Sequence, residues 1–227
     1  MLVILENVLA PAQLTLVRSR LADGQFSDGR TSAGDIAQRN KFNEELVAGT
    51  DDMAMLHNLV MGALVRHPVY RNAGLPHRVA TPYYSRYHAG MKYGLHVDDP
   101  VMGQGADPSA RYRCDVAITI FLTGPEDYDG GELVVHTAFG EQSIKLPAGY
   151  GVMYPASSLH EVTEVTRGER LAAVTWMQSL VPDAEKRELL YRLWEARESL
   201  RIEQPDSAVT TRVDQSYVNL VRMWAKV

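Results

Sequence analysis

A series of short β-prone runs fills the middle of the chain and most restricts what it can fold into. From about residue 77, runs rich in Val, Ile, Thr and Tyr alternate with breaks that contain Gly or Pro, which is typical of many short antiparallel strands. The pattern predicts strands near residues 78–87, 95–98, 114–123, 131–136, 141–146, 150–154, 159–165 and 171–180. Eight strands preceded by helices favour an α+β fold: a double-stranded β-helix, or jelly roll, with N-terminal buttressing helices.

The residues before this series have a helical pattern. Pro11 and Thr50 each precede apolar residues at helical spacing, so a helix is expected to begin at each position. We therefore predict a support region of helices and a short strand at 1–76, followed by a jelly-roll core at 77–181.

A C-terminal helical appendage is predicted at 182–227. Residues 183–200 and 206–225 have helical periodicity, and Pro205 separates them. Their apolar faces suit either packing on the jelly roll or a homo-oligomer contact, and the sequence does not choose between the two.

The distribution of charged and apolar residues argues against nucleic-acid and membrane partners. The 227 residues include 23 basic and 28 acidic ones, for a net charge of −5, and the basic ones are scattered. No stripe could follow a phosphate backbone, so we expect no nucleic-acid partner. The N-terminus lacks the pattern of a signal peptide, and no run approaches the roughly 20 apolar residues that span a bilayer. We expect a cytoplasmic protein without a membrane partner.

The pair His96 and Asp98 is the first candidate for chemistry. Side chains alternate along a strand, so an imidazole and a carboxylate two residues apart project from the same face. They could provide two neighbouring ligands of a metal, and a third from a distant strand would complete the 2-His-1-carboxylate face that suits non-haem Fe(II). A His-x-Asp pair alone is a weak indication, because it is common by chance.

The segment around His160 strengthens this interpretation. A strand ends near Pro155, the next begins near His160, and Arg170 follows ten residues after it. A short turn at 167–168 would return the chain beside the strand of His160, so that Arg170 faces the same cavity. A guanidinium offers a bidentate fork to a carboxylate, and the distal carboxylate of 2-oxoglutarate would suit it.

These residues carry a family resemblance. The order His96-Val97-Asp98, His160 and Arg170 resembles the prolyl 4-hydroxylase-like branch of the Fe(II)/2-oxoglutarate-dependent dioxygenases. Within that branch the chain is similar to the bacterial PKHD-type hydroxylases, a group that includes PiuC, named for an association with iron uptake. The segments that carry this likeness are Asp28–Gly34, Tyr93–Pro100, Asp127–Leu133 and Leu159–Val162.

The resemblance implies a reaction and its cofactors. His96, Asp98 and His160 would bind Fe(II), and Arg170 would bind the C5 carboxylate of 2-oxoglutarate. With O2, such an enzyme hydroxylates a small-molecule or peptide substrate and releases succinate and CO2. L-Ascorbate is a candidate reductant, and a link to iron uptake is a candidate role.

Two aromatic positions bear on the co-substrate. By the same resemblance, Tyr87 would form a hydrogen bond near 2-oxoglutarate. Phe121 stands where some prolyl hydroxylases have a second tyrosine that contacts the co-substrate. Another group must then supply that hydrogen bond.

Two other functions remain as alternatives. The chain could be a jelly-roll metalloenzyme that does not use 2-oxoglutarate, although a metal alone gives no reason for Arg170. It could also be a non-catalytic sensor of iron or 2-oxoglutarate, although an intact triad favours catalysis. A serine hydrolase is excluded, because Ser157 and Ser158 are not part of a G-x-S-x-G motif.

Other polar residues receive weaker assignments. Loops 23–45 and 99–112 are expected to cover the cavity. Their basic residues are candidates for an anionic substrate, with solvated surface charge as an equal alternative: Arg30, Lys41, Arg111 and Arg113. The histidines without partners at ligand spacing are interpreted as structural: His57, His67, His77, His88 and His136. Asp99 points to the opposite strand face from Asp98, and the single cysteine, Cys114, is interpreted as core packing without an internal disulfide.

Overall fold

The computed structural model describes residues 1–32, 34, 37–47, 51–103 and 110–227. The strands are β1 (Val3–Leu5), β2 (Phe26–Asp28), β3 (Lys41–Phe42), β4 (Glu44–Leu46), β5 (Pro76–Val79), β6 (Tyr83–His88), β7 (Lys92–His96), β8 (Val101–Met102), β9 (Tyr112–Arg113), β10 (Val116–Phe121), β11 (Tyr128–Gly130), β12 (Leu133–Thr137), β13 (Gly140–Ile144), β14 (Gly151–Pro155), β15 (His160–Val162) and β16 (Val165–Ser179). The helices are α1 (Pro11–Ala22), α2 (Asp51–Leu64), α3 (Pro68–Gly74), α4 (Ala184–Glu203) and α5 (Ala208–Trp224).

Two antiparallel sheets form the body of the described part of the chain. The larger sheet has nine strands in the order β1-β14-β10-β16-β6-β4-β2, with β5 and β11 also paired to β16. The smaller sheet has five strands in the order β13-β12-β15-β7-β3. This arrangement confirms the predicted α+β jelly roll with helices near both ends.

Side-chain alternation along β10 separates two cores. Ile118 and Ile120 pack outward in a cluster with residues of α1 and α2. Ala117 and Phe121 point the other way and pack with Leu133 and other residues of the smaller sheet. A strand that is buried on both faces is expected to have a nearly continuous apolar sequence, as β10 does. The helices therefore cover one face of the larger sheet, and the smaller sheet covers the other.

One short segment connects the two sheets. β3 pairs with β7 of the smaller sheet, and β4 pairs with β6 of the larger sheet. Residues 41–46, which we name the bridging segment, therefore cross from one sheet to the other with Asn43 between the two strands. Residues 41–45 of this segment lie within the loop predicted at 23–45.

The C-terminal helices pack within the chain. Leu190 of α4 and Tyr217 of α5 are buried in one cluster with Leu75 and Val181. Packing on the rest of the chain, one of the two options for this appendage, is therefore observed. The homo-oligomer contact stays a prediction, as does the division into regions 1–76, 77–181 and 182–227. No helix in the described ranges is long and apolar enough to cross a membrane.

Several local predictions were wrong. The turn expected at 167–168 is part of β16, which continues through Gly168 at φ +77° and pairs there with Tyr128. β16 lies in the larger sheet and does not return beside β15. The strand predicted at 78–87 is divided into β5 and β6, and helix α3 was not predicted. Thr50 and residues 104–109 of the second loop lie outside the described residues.

Candidate metal centre and adjoining cavity

Two histidines from distant parts of the chain lie side by side in the smaller sheet. β7 ends at His96, β15 begins at His160, and the two residues are directly paired in the antiparallel register. Their ring centroids are 4.2 Å apart. Direct pairing brings side chains on one face of a sheet into contact, which explains how residues far apart in sequence meet here.

Asp98 completes a cluster with these histidines. It lies two residues beyond the end of β7, and its Oδ1 is 3.8 Å from His96 Nε2 and 3.6 Å from His160 Nε2. One ligand atom from each of the three residues lies within 4.8 Å of the others, and no other group of three such residues is found in the described part of the chain.

Hydrogen bonds orient all three side chains. Nδ1 of His96 donates to the Gly94 carbonyl at 2.8 Å, and Nδ1 of His160 donates to the Ser158 carbonyl at 2.9 Å. Each Nε2 therefore keeps its lone pair toward the centre of the cluster. Nε1 of Trp176 donates to Asp98 Oδ2 at 2.8 Å, which leaves Oδ1 for a cation.

Burial shifts the pKa values of His96 and Asp98. Desolvation, together with the neighbouring His160, lowers the pKa of His96 to about 3. Desolvation also raises the pKa of Asp98. A neutral His96 imidazole beside the buried Asp98 carboxylate fits a divalent cation, because the cation would compensate the negative charge that burial disfavours. Two nitrogens and one oxygen from one side match the facial arrangement of non-haem iron.

The cluster opens into a cavity with an empty volume of about 520 Å³. Arg170 of β16 lines it, is 1% exposed, and reaches it from the larger sheet. Its guanidinium carbon lies 5.1 Å from the ring centroid of Tyr87 and 5.5 Å from that of Phe121. Its Nε has no hydrogen-bond partner among the residues that the structure describes. A buried cation held between rings with an unused donor is suited to an anionic ligand.

Tyr87 also lines this cavity and is buried. Desolvation is the main cause that raises the pKa of its hydroxyl to about 12, so the group is a hydrogen-bond donor near neutral pH. The structure thus brings together the five predicted site residues, with the triad and the Arg170–Tyr87 pair facing one cavity.

The bridging segment contributes three cavity residues that the sequence did not single out together. Lys41, Asn43 and Glu45 all line the cavity. Lys41 Nζ donates to Glu45 Oε1 at 2.5 Å and to Ser32 Oγ at 2.7 Å. The signal was the alternation Lys-Phe-Asn-Glu-Glu, in which every second residue is polar and inward. This alternation was not identified from the sequence, because residues 23–45 were predicted to form a loop and not strands.

Of the four basic residues predicted to meet an anionic substrate, Lys41 alone is among those that line this cavity. It is neutralised by Glu45. Arg30 is exposed and paired with Asp28, and Arg113 is paired with Asp115. The surface-charge alternative therefore fits these two arginines.

The remaining histidines lie outside the cluster, as predicted. His57 and His67 contact backbone carbonyls, His77 is exposed, and His136 lies beside Glu141. His88 lies between Glu44 and Glu169 near the surface. Cys114 is buried, and desolvation raises the pKa of its thiol to about 12.

Comparison with known proteins agrees with an iron site of this kind. Residues 82–178 match the family model described as the 2OG-Fe(II) oxygenase superfamily. A PKHD-type hydroxylase of Thioalkalivibrio sulfidiphilus is 48% identical over 227 residues and covers 100% of both chains. Another, of Paracoccus denitrificans, is 42% identical over 230 residues and also covers 100% of both.

Solved structures show the same fold at low identity. A prolyl hydroxylase of Trichoplax adhaerens, in complex with a hypoxia inducible factor peptide fragment, has a TM-score of 0.56 at 19% identity, covering 83% of this chain and 86% of that one. A prolyl-4-hydroxylase of Pseudomonas putida has a TM-score of 0.52 at 18% identity, covering 78% and 92%. From the full-length identity, this chain belongs to the PKHD-type hydroxylases of the 2OG-Fe(II) oxygenase superfamily and is a 2-oxoglutarate-dependent dioxygenase.

Proposed function

We propose that this chain hydroxylates a small-molecule or peptide substrate, with Fe(II) held by His96, Asp98 and His160. Arg170 binds the distal carboxylate of 2-oxoglutarate. The observation that carries this proposal is that the triad and a buried arginine with an unused donor face one cavity. When bound, Fe(II), 2-oxoglutarate and O2 supply an oxidation that converts a C–H bond into an alcohol and releases succinate and CO2.

The protein's own residues position these partners and exclude water. Arg170 supplies a fixed positive charge in the cavity wall, and Tyr87 supplies a neutral donor beside it. Leu133, Val162 and Val174 provide apolar wall between the polar groups. An apolar wall with few polar groups is typical of a site that orients a small ligand.

The buried arginine also separates this proposal from its first rival. A metalloenzyme without 2-oxoglutarate would leave the buried Nε of Arg170 without a hydrogen-bond partner among the described residues, and burying an unpaired donor of a charged group is disfavoured. A non-catalytic sensor would keep the same site, so only turnover distinguishes that rival.

The test measures succinate formation from 2-oxoglutarate with Fe(II) and O2, together with binding of N-oxalylglycine by calorimetry. We expect both in the wild type. Asp98→Asn should abolish succinate formation, and Asp99→Asn should not, because Asp99 is exposed beside the cluster. Binding without turnover would favour the sensor, and absence of both would refute the proposal.

Two further assignments rest on the family resemblance. We infer that L-ascorbate serves as a reductant that maintains Fe(II), and that the reaction serves iron uptake. Slower inactivation during turnover with ascorbate supports the first. Expression that rises under iron limitation supports the second.

A further inference from the structure

Asn43 occupies the crossing point of the bridging segment. It follows β3 and precedes β4, is 4% exposed, and lines the cavity together with Lys41 and Glu45. Its side chain fits closely against the backbone of Gly29, where an added Cβ would collide with the Asn43 amide oxygen. The backbone of Gly29 also donates to the Asn43 carbonyl at 2.9 Å. The amide is therefore held in place by packing.

The amide of Asn43 has no hydrogen-bond partner within the described chain. Both Nδ2 and Oδ1 are buried and unpaired. Among the described residues, only Asn43 and Arg170 combine such an unpaired buried atom with a place in the cavity wall. By contrast, Lys41 and Glu45 satisfy each other. A buried unpaired amide is disfavoured, so such a group calls for a partner that is absent from the chain.

The strand register places Asn43 beside the residues that face the co-substrate. Glu44 and Glu45 of β4 pair with Arg86 and Ser85 of β6. Continuing that register by one residue brings Asn43 beside Tyr87, which itself pairs with Arg170 of β16. Asn43, just before β4, thus forms a row with Tyr87 of β6 and Arg170 of β16. The Asn43 amide lies near the Tyr87 hydroxyl, at a geometry short of a hydrogen bond.

A carboxylate bound by Arg170 has lone pairs to spare. It offers about four acceptor positions, and a guanidinium fork uses two of them. Phe121 lies on the same guanidinium but has no group that can donate. Besides the guanidinium of Arg170 itself, the amide nitrogen of Asn43 is the donor in this row that has no partner among the described residues.

We propose that Asn43 donates a hydrogen bond from Nδ2 to the distal carboxylate of 2-oxoglutarate, beside Arg170. The inference rests on the proposed function, since it requires that 2-oxoglutarate occupies this cavity. It makes Asn43 a binding residue for the co-substrate, contributed by a segment outside the predicted jelly-roll core.

The test uses Asn43→Leu, which keeps the number and branching of the side-chain heavy atoms and removes both polar atoms. The probe is N-oxalylglycine with Mn(II), measured by calorimetry on the full chain. We expect its Kd to rise about 10- to 100-fold, the effect of losing a hydrogen bond to a charged group. The affinity for Mn(II) alone should stay unchanged. The ligand-free variant should unfold at the same or a higher temperature, because an unpaired buried amide has been removed.

Controls keep the outcomes distinct. Asn58→Leu, at an exposed position of α2, should leave N-oxalylglycine binding unchanged. Asn43→Asp replaces the donor with an acceptor of the same shape and adds a negative charge, so it should weaken N-oxalylglycine binding further. This variant provides the test if Asn43→Leu does not fold. Wild-type affinity in either folded variant overturns the inference and leaves the proposed function intact. A wild type that does not bind N-oxalylglycine refutes both.

Discussion

Each candidate metal ligand is oriented by a hydrogen bond that leaves one atom free. Gly94 and Ser158 accept from the two Nδ1 atoms through their carbonyls, and the indole of Trp176 holds one oxygen of Asp98. Such outer partners set tautomer and direction, and their loss typically lowers metal affinity by about 10- to 100-fold. Trp176 was not predicted to have this role, because the contact joins residues far apart in sequence.

The hydrogen bond from Trp176 leads to the first prediction. Trp176→Phe keeps most of the aromatic volume but removes the donor to Asp98. We expect affinity for Mn(II), measured by calorimetry, to fall about 10- to 100-fold. Trp194→Phe, in the C-terminal cluster, is the matched control and should bind Mn(II) like the wild type. Equal affinities in all three proteins would contradict this role.

Cys114 gives a prediction that depends on pH. Because desolvation raises the pKa of its thiol to about 12, the fraction of reactive thiolate is small near pH 8 and increases only as the pH approaches that value. Iodoacetamide should therefore label the folded protein slowly at pH 8 and the urea-unfolded protein rapidly, as followed by mass spectrometry. Equal labelling rates would show that the thiol is neither buried nor shifted.

The bridging segment is the element that joins the two sheets of the jelly roll. It pairs with both sheets and carries the buried ion pair of Lys41 and Glu45, whose side chains are 8% and 12% exposed. Breaking such a pair from one side leaves an uncompensated charge, and this typically costs about 3–5 kcal/mol.

This ion pair leads to a prediction on stability. Lys41→Met should lower the free energy of unfolding by about 3 kcal/mol, because Glu45 is left buried and unpaired. The double variant Lys41→Met/Glu45→Gln should recover most of the loss, as measured by urea denaturation. Lys92→Met is the matched control, since its partner Glu164 is half exposed, and it should change stability by less than about 1 kcal/mol. Similar losses of unfolding free energy in Lys41→Met and Lys92→Met would contradict the prediction that the buried ion pair contributes more than the exposed one.

At the scale of the whole molecule, ligand binding and folding depend on both sheets. The triad lies at the smaller sheet, with Trp176 of the larger sheet bonded to Asp98, and Arg170 lies on the larger sheet. A ligand that contacts metal and Arg170 together would therefore join the two sheets. Anything that binds the folded state and not the unfolded one raises stability.

We therefore expect N-oxalylglycine together with a metal ion to stabilise the folded protein. At 100 times the Kd, N-oxalylglycine with Mn(II) should add about 2.7 kcal/mol, which corresponds to roughly 5–10 °C in Tm for a domain of this size. Scanning calorimetry measures the shift, and removal of the metal with EDTA should abolish it. His96→Ala should show no shift. A full shift from N-oxalylglycine without metal would argue against chelation at this site.

By itself the sequence determined the local features. Alternating β-prone runs identified the jelly roll, and the His-x-Asp spacing indicated two neighbouring candidate ligands, because these patterns depend only on neighbouring residues. The strand predicted at 95–98 nevertheless ends at His96, so Asp98 follows the strand. The tertiary structure decided what meets across the chain: His160 opposite His96, Arg170 reaching the cavity from the other sheet, Trp176 on Asp98, and Asn43 in the cavity wall. Strand register and sheet membership arise from long-range packing, so they cannot be predicted from a short sequence pattern.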